Sequence, residues 1–192
     1  MKIATWNVNS MKVRLPHVME WMQANEPDVL VLQEIKQVTE AFPAAELLEA
    51  GYQSLANGQK TYNGVAVISK TAPADPVLEF PGFDDPQRRV LATTIDGVRV
   101  VNLYIPNGSE VGSEKYDYKL RWLATLRDFL EDEMSRHDDL VVLGDFNIAP
   151  ADEDVYDAEK WGDAILCSPK EREALGRLLD LGLTDVFRKF DQ

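Results

Sequence analysis

The chain has 192 residues, of which 45% are apolar and 28% charged, and its formal net charge is -13; this composition is typical of one globular domain. No apolar run approaches the roughly 20 residues that a membrane-spanning helix needs, and the first residues lack the pattern of a secretory signal. A single cysteine, Cys167, excludes an intramolecular disulfide, so a reducing cytoplasm is the simplest setting. We also expect a monomer that does not contact a membrane.

Strand-like and helix-like segments alternate along the chain. The strand-like segments are short and rich in β-formers, and the helix-like segments have apolar residues three and four positions apart. In chain order the pattern predicts a strand ending near residue 7, a helix at 14–25, strands at 29–32, 52–55, 65–69, 90–95, 98–104 and 140–143, and helices at 43–51, 115–135 and 168–181. Helices interleaved with strands, some joined by a hairpin, predict an α/β protein with mixed sheets and helices outside them.

Local signals support several of these elements. Pro16 is expected in the first turn of its helix, and Ser168 is a typical N-cap, followed by proline and a glutamate. Residues 29–32 form a continuous apolar run, which is typical of a strand covered on both faces. The helix at 115–135 is expected to bury one stripe of side chains, namely Tyr118, Trp122, Thr125, Leu126 and Phe129.

Polar side chains follow three of the predicted strands. Asn7 and Asn9 follow the first strand, Glu34 follows the second, and Asp145 with Asn147 follows the last. Side chains from separate segments converge at strand ends in α/β sheets. A carboxylate that follows four buried aliphatic residues after one intervening residue needs a positive or hydrogen-bonding partner. Two such carboxylates suggest a hard divalent cation such as Mg²⁺, which binds few carboxylates together with water and phosphate oxygens.

The same residues have simpler interpretations. An asparagine in a loop after a strand commonly bonds to its own backbone in a turn. Asp145 could cap the turn that follows it, and Glu34 could form an ion pair with Lys36. These alternatives stay open on the residue pattern alone.

The negative charge is unevenly distributed. Residues 1–127 contain 13 Lys+Arg and 15 Asp+Glu, whereas residues 128–192 contain 7 and 18. Net acidity argues against a polyanionic partner such as DNA. Because the excess lies in the last third, where it is typical of a solvated surface, the first two thirds could still present a basic face.

Six short motifs occur in the order seen in a known family. They lie at residues 6–10, 32–36, 64–70, 87–89, 102–108 and 144–150. In these motifs the chain resembles bacterial exonuclease III, the apurinic/apyrimidinic endonuclease family of the endonuclease/exonuclease/phosphatase superfamily. The resemblance implies a four-layer α/β sandwich of two mixed β-sheets flanked by helices, as in deoxyribonuclease I.

The resemblance also implies a set of site residues. Glu34 would be the main Mg²⁺ ligand beside Asn7, with Asp145 and Asn147 completing the metal-binding set and Mn²⁺ as an alternative ion. Tyr104 would place its phenol on the scissile phosphate. Asp145 would act in proton transfer, and Asn147 would stabilise the transition state. Phosphodiester hydrolysis needs such groups, because charge builds up on the phosphate oxygens as water attacks.

The DNA contacts that the resemblance implies involve two basic residues. Arg89 and Lys119 would bind the phosphate backbone. The implied partner is double-stranded DNA that contains abasic sites or blocked 3′ ends.

The family continues beyond the last residue of this sequence, to a strand with a catalytic aspartate and a Ser-Asp-His segment. Neither segment is present. His17 lies in the first predicted helix and His137 in the polar segment that ends the helix at 115–135, so neither matches that histidine. We therefore expect a domain that is incomplete at its C-terminus and cleaves weakly. A fragment of a complete enzyme is the preferred explanation, and a naturally short form is the alternative.

The leading functional hypothesis is a Mg²⁺-dependent DNA-repair phosphodiesterase that incises abasic sites, degrades DNA from 3′ ends and trims blocked 3′ termini. One alternative is a phosphodiesterase or phosphatase of the same fold that acts on lipid or inositol phosphates. The segments at residues 87–89 and 104–108 argue against it. The other alternative is a catalytically impaired DNA-binding module.

Overall fold

The computed structural model describes residues 1–190. The chain divides into two compact units. The first unit consists of residues 1–104 and 137–146, and the second of residues 105–136 together with the chain from residue 147 onward.

The first unit contains eight strands and two helices. Its elements are β1 Ile3–Asn7, α1 Met11–Asn25, β2 Val29–Gln33, a 3₁₀ turn Thr39–Ala41, α2 Ala44–Glu49, β3 Gln53–Asn57, β4 Val65–Ser69, β5 Ala74–Val77, β6 Val90–Ile95, β7 Val98–Tyr104 and β8 Leu140–Asp145. The strands form two four-stranded sheets, in the orders β1-β2-β4-β3 and β5-β6-β7-β8. In each sheet one pair of strands is parallel, β1 with β2 and β7 with β8, and the others are antiparallel. The predicted α/β class with two mixed sheets is confirmed.

Strand β2 is buried on both faces, as its apolar run predicts. Its valines join an apolar cluster shared by the two sheets, which contains Val29, Val31, Val65, Val67, Leu91, Ile95 and Val100. Its leucines face the other way, toward the helices, in a cluster that includes Val18, Met22, Leu30, Leu32 and Leu47. Removing these apolar side chains from water stabilises the first unit.

Helix α1 begins three residues earlier than its periodicity suggests. The N–H groups of Ser10 and Met11 donate to the carbonyls of Glu34 and Ile35, at 2.7 and 3.0 Å. These tertiary bonds satisfy donors that a helix start otherwise leaves unpaired. Pro16 consequently lies inside the helix instead of in its first turn.

Strand β5 is absent from the sequence-based prediction. It is short and mostly exposed, contains a proline and pairs irregularly at the edge of its sheet. Edge strands tolerate proline because one side of the backbone makes no ladder bonds. The local pattern therefore resembles that of a loop.

The second unit contains the remaining described helices: α3 Glu114–Arg136, α4 Ala158–Trp161, α5 Pro169–Leu179 and α6 Val186–Phe190, with a 3₁₀ turn Asp152–Asp154. The buried face of α3 includes Trp122, Leu126 and Phe129, as predicted, whereas Tyr118 and Thr125 are only partly buried. The expected cap of α5 is present, since Ser168 and Glu171 form a capping box. None of the helices within residues 1–190 combines the length and apolar character needed to cross a membrane.

Candidate active site

The carboxyl ends of two parallel strand pairs carry most of the predicted site residues. Asn7 pairs with Gln33 at the end of β1 and β2, and Tyr104 pairs with Asp145 at the end of β7 and β8. Glu34 directly follows β2. The first unit therefore brings Asn7, Glu34, Tyr104 and Asp145 together from four separate strands.

Asn7 links the two carboxylates of this group. Its Nδ2 donates to Glu34 Oε1 and to Asp145 Oδ2, at 2.8 Å in both cases. Its Oδ1 accepts from the backbone N–H of Asn9 at 3.1 Å. Because both carboxylate oxygens bond to one nitrogen, they lie no farther apart than twice that hydrogen-bond distance.

Glu34 is held by its backbone and by its side chain. Its φ of +53° places it in the left-handed region, and its carbonyl accepts from Ser10, as described above. Its Oε2 forms an ion pair of 2.9 Å with Lys36 Nζ, so the simpler interpretation of a Glu34–Lys36 pair is confirmed. Partial burial raises the pKa of Glu34, but hydrogen bonds from Asn7, Lys36 and Tyr104 outweigh it, and the pKa lies below its ordinary value. The carboxylate is therefore ionised at neutral pH.

Tyr104 contacts Glu34 on one side and Arg89 on the other. The Arg89 guanidinium lies over the phenol ring, 4.6 Å from its centroid, and Arg89 Nη1 donates to the Tyr104 carbonyl at 3.1 Å. Burial together with the negative charge of Glu34 raises the pKa of Tyr104 to about 12. The phenol is therefore neutral and can donate a hydrogen bond.

Arg89 is part of this support and has only 9% of its surface exposed. Its Nε donates to Gln87 Oε1 at 2.9 Å, and the same oxygen accepts from Asn63 Nδ2 at 3.2 Å. The predicted contact between Arg89 and DNA stays a prediction. The bonds of Arg89 show that it also orients Tyr104.

The chemistry of the site fits a hard divalent cation. One carboxylate oxygen of Glu34 and one of Asp145 both point toward Asn7 Nδ2, which donates a hydrogen bond to each of them. Mg²⁺ prefers oxygen ligands and few carboxylates, which matches this donor set. Asn7 presents its nitrogen to the carboxylates in this structure, so a role as a metal ligand would require its amide to turn. The metal-binding roles of Asn7, Glu34, Asp145 and Asn147 stay predictions.

The glycine before Asp145 is required by close packing. A Cβ at Gly144 would lie 2.0 Å from the carbonyl oxygen of Leu103, and the φ of Gly144 is +141°. Only glycine lets the two backbones approach in this way. The neighbouring pair of Tyr104 and Asp145 is therefore fixed by backbone contact between β7 and β8.

Asn147 belongs to the second unit and has its own partners there. Its Nδ2 donates to the Ile105 carbonyl at 3.0 Å, and its Oδ1 accepts from Asn107 Nδ2 at 3.3 Å. Its φ of +49° places it, like Glu34, in the left-handed region. Asparagine adopts this conformation more readily than most residues.

The prediction that Lys119 contacts DNA is wrong. Its side chain is fully buried in the second unit and forms an ion pair with Glu171, which is also fully buried. Its Nζ donates to the carbonyls of Asn107 and Asn147 at 3.2 and 2.6 Å. Glu171 and Asn107 had no role in the sequence-based site. A lysine on the apolar stripe of α3 was the one available signal, since an unpaired buried lysine is costly.

Comparisons with known proteins identify the family of the chain. A family model described as Endonuclease/Exonuclease/phosphatase family matches residues 4–188. The exodeoxyribonuclease III of Haemophilus influenzae is 34% identical, with 100% of this chain and 76% of the relative covered.

Solved structures of related nucleases have the same fold as this chain. A 3′ phosphatase from Neisseria, NExo, solved with a product DNA hairpin, is 54% identical with a TM-score of 0.97, covering 98% of this chain and 74% of that one. An AP endonuclease from Archaeoglobus fulgidus is 37% identical with a TM-score of 0.93, covering 98% and 74%. The chain thus spans about three quarters of the length of these relatives.

Proposed function

Because the chain belongs to the endonuclease/exonuclease/phosphatase family, with relatives of the exonuclease III and AP endonuclease type, we propose that it is a Mg²⁺-dependent DNA-repair phosphodiesterase. The observation that supports this most is the bridge from Asn7 to both Glu34 and Asp145, beside the phenol of Tyr104. It unites two carboxylates and two neutral donors, as the hydrolysis of a phosphodiester requires.

Each site residue would have a separate role in the hydrolysis. Glu34, with Asp145 near it, would hold the cation, which when bound neutralises charge on the phosphate oxygens. Tyr104 would turn its neutral phenol O–H from Glu34 to a phosphate oxygen, since its raised pKa keeps the proton in place. Asp145 would take a proton from the attacking water or return one to the leaving oxygen. Asn147 would donate to the transition state.

The proposed substrate is double-stranded DNA with a blocked or recessed 3′ end. The similarity to a Neisseria 3′ phosphatase supports the removal of 3′ phosphates, and the similarity to an exodeoxyribonuclease III supports 3′→5′ degradation. Incision at abasic sites is a second candidate, supported by the 37% identical AP endonuclease.

A panel of matched duplexes tests the proposal. One duplex carries a 3′ phosphate at a gap, one a recessed 3′ hydroxyl and one an abasic site, and inositol phosphates serve as a contrast. We expect Mg²⁺-dependent hydrolysis of the DNA substrates and its loss with a chelator. Hydrolysis of inositol phosphates in preference to DNA, or DNA binding without cleavage at any Mg²⁺ concentration, would contradict the proposal.

A further inference from the structure

We propose that the buried pair of Lys119 and Glu171 is a positioning device that fixes the loops of Asn107 and Asn147 for catalysis. Lys119 is then a positioning residue and not a DNA contact. The inference concerns the second unit alone, and its catalytic consequence rests on the proposed function.

The ammonium of Lys119 lies where three segments meet. It donates to the carbonyl of Asn107 at 3.2 Å, to the carbonyl of Asn147 at 2.6 Å and to the Glu171 carboxylate. An ammonium has three donors, so it can bond to these three acceptors at the same time. One side chain on α3 therefore holds the backbone of two loops that lie 40 residues apart in the chain.

The side chains of the two loops are joined as well. Asn107 Nδ2 donates to Asn147 Oδ1 at 3.3 Å, and Asn147 Nδ2 donates to the Ile105 carbonyl at 3.0 Å. Each asparagine is thus fixed through its backbone by Lys119 and through its side chain by the other loop. A shift of Lys119 would move the side-chain amide of Asn147. In the proposed function this amide stabilises the transition state by donating a hydrogen bond to it.

Glu171 is itself fixed at the start of α5. Its Oε1 accepts from the Leu166 N–H at 3.1 Å, and its Oε2 accepts from the Ser168 N–H and hydroxyl at 3.2 and 2.6 Å. The Ser168 hydroxyl also lies 2.7 Å from the phenol oxygen of Tyr116 on α3. A carboxylate in the first turn of a helix is further stabilised by the helix dipole. Both ends of the ion pair are therefore anchored by helices.

The aliphatic part of the Lys119 side chain also contacts the loop that contains Asn107. A Cβ at Gly108, whose φ is +90°, would lie 2.8 Å from Ile165 and 3.1 Å from Cδ of Lys119. The loop that contains Asn107 thus lies directly against the aliphatic part of this lysine. A buried ion pair is often replaceable by apolar residues without loss of stability, so stability alone does not explain it.

The experiment compares variants of the full chain on the 3′-phosphate duplex. Lys119→Met removes the ammonium, and the double variant Lys119→Met/Glu171→Met also removes the carboxylate that would otherwise be left unpaired. We expect kcat to fall about 10- to 100-fold in both, because a displacement of about 1 Å costs on that scale. KM and its dependence on salt should stay near the wild-type values, since no phosphate contact is lost.

Two matched controls separate positioning from general damage. Lys115→Met removes an exposed lysine from the same helix, and Glu133→Gln removes another buried carboxylate of α3; both should keep the wild-type kcat. A double variant that folds and cleaves at the wild-type rate would overturn the inference. So would a variant in which KM and the salt slope change while kcat does not.

A second measurement does not depend on cleavage. The side-chain amide signals of Asn107 and Asn147 in ¹H–¹⁵N spectra should shift in the double variant and not in Lys115→Met. If the wild-type chain cleaves none of the duplexes, the proposed function fails, whereas the shifts still test whether Lys119 orders the two asparagines. Unchanged signals in the double variant would overturn the positioning role.

Discussion

Asn7 donates a hydrogen bond of 2.8 Å to Asp145, although 138 residues separate the two in the chain. The bond joins the last residue of β1 to the last residue of β8, and the same nitrogen also bonds to Glu34. One amide therefore sets the distance between two carboxylates that come from different sheets.

Replacing Asn7 by alanine should separate these carboxylates. Without the shared donor, their like charges repel and the cation site becomes less well defined. We expect a roughly 10- to 100-fold loss of kcat, because catalytic groups tolerate little misplacement, and a higher Mg²⁺ concentration for half-maximal rate. Steady-state kinetics over a Mg²⁺ titration measures both. Asn25→Ala, at the exposed end of α1, is the control, and equal loss in both variants would contradict the assignment.

Glu34→Ala should abolish Mg²⁺-dependent cleavage while leaving the fold intact. Glu34 is only partly buried and its loss creates no large cavity, so circular dichroism and Tm should change little. A fall in kcat of about 10²-fold or more is expected for the loss of a main ligand of a catalytic ion. Cleavage at the wild-type rate by Glu34→Ala would show that the cation is held elsewhere.

Arg89→Lys should lower kcat through Tyr104. Lysine keeps the charge but loses the planar contact over the ring, and that contact contributes about 0.5–2 kcal/mol. If all of that energy is lost in the transition state, kcat falls by about 2- to 30-fold. Arg88→Lys is the matched control, since Arg88 is more exposed and pairs with Glu79. A salt slope that decreases by about one for Arg89→Lys at unchanged kcat would instead indicate a phosphate contact.

Asn102→Leu should destabilise the first unit. Its Nδ2 donates to the carbonyls of Leu32 and Ala66 at 3.0 and 2.9 Å, and its Oδ1 accepts from Gln33 at 2.8 Å. Leucine leaves these three buried groups without this partner, at about 1–3 kcal/mol each, so the free energy of unfolding should fall by about 3 kcal/mol or more. Urea unfolding measures it. Gln53→Leu, on the exposed start of β3, should change it by less than about 0.5 kcal/mol.

Gly144→Ala should be far more damaging than Gly112→Ala. Both glycines have a positive φ, but a Cβ at Gly144 would meet the Leu103 carbonyl, whereas a Cβ at Gly112 would meet nothing within 4 Å. We expect about 1 kcal/mol for Gly112→Ala from backbone strain alone, and several times more for Gly144→Ala. Comparable Tm values for the two variants would contradict the close approach of β7 and β8.

Much of the fold could be predicted because its signals are local. Strands β4, β6 and β7 begin and end where their β-formers predict, and β2 differs by one residue. The predicted start of α1 was wrong, and the edge strand β5 was not predicted at all. In both cases the deciding hydrogen bonds come from segments distant in the chain, which a local pattern does not contain.

The sequence by itself determined the family, the α/β class and the acidic and amide residues at the strand ends, because these follow from short motifs and from hydrophobic periodicity. Only the tertiary structure decided what each polar side chain contacts. The positive charge of Lys119 suggests a DNA contact, but in the structure this lysine forms a buried ion pair with Glu171, 52 residues farther along the chain. Asn7 is predicted from its position after β1 to be a metal ligand, and the convergence of four strand ends shows that it also bridges two carboxylates. Hydrogen bonds and burial depend on which segments meet in space, and no local pattern specifies that.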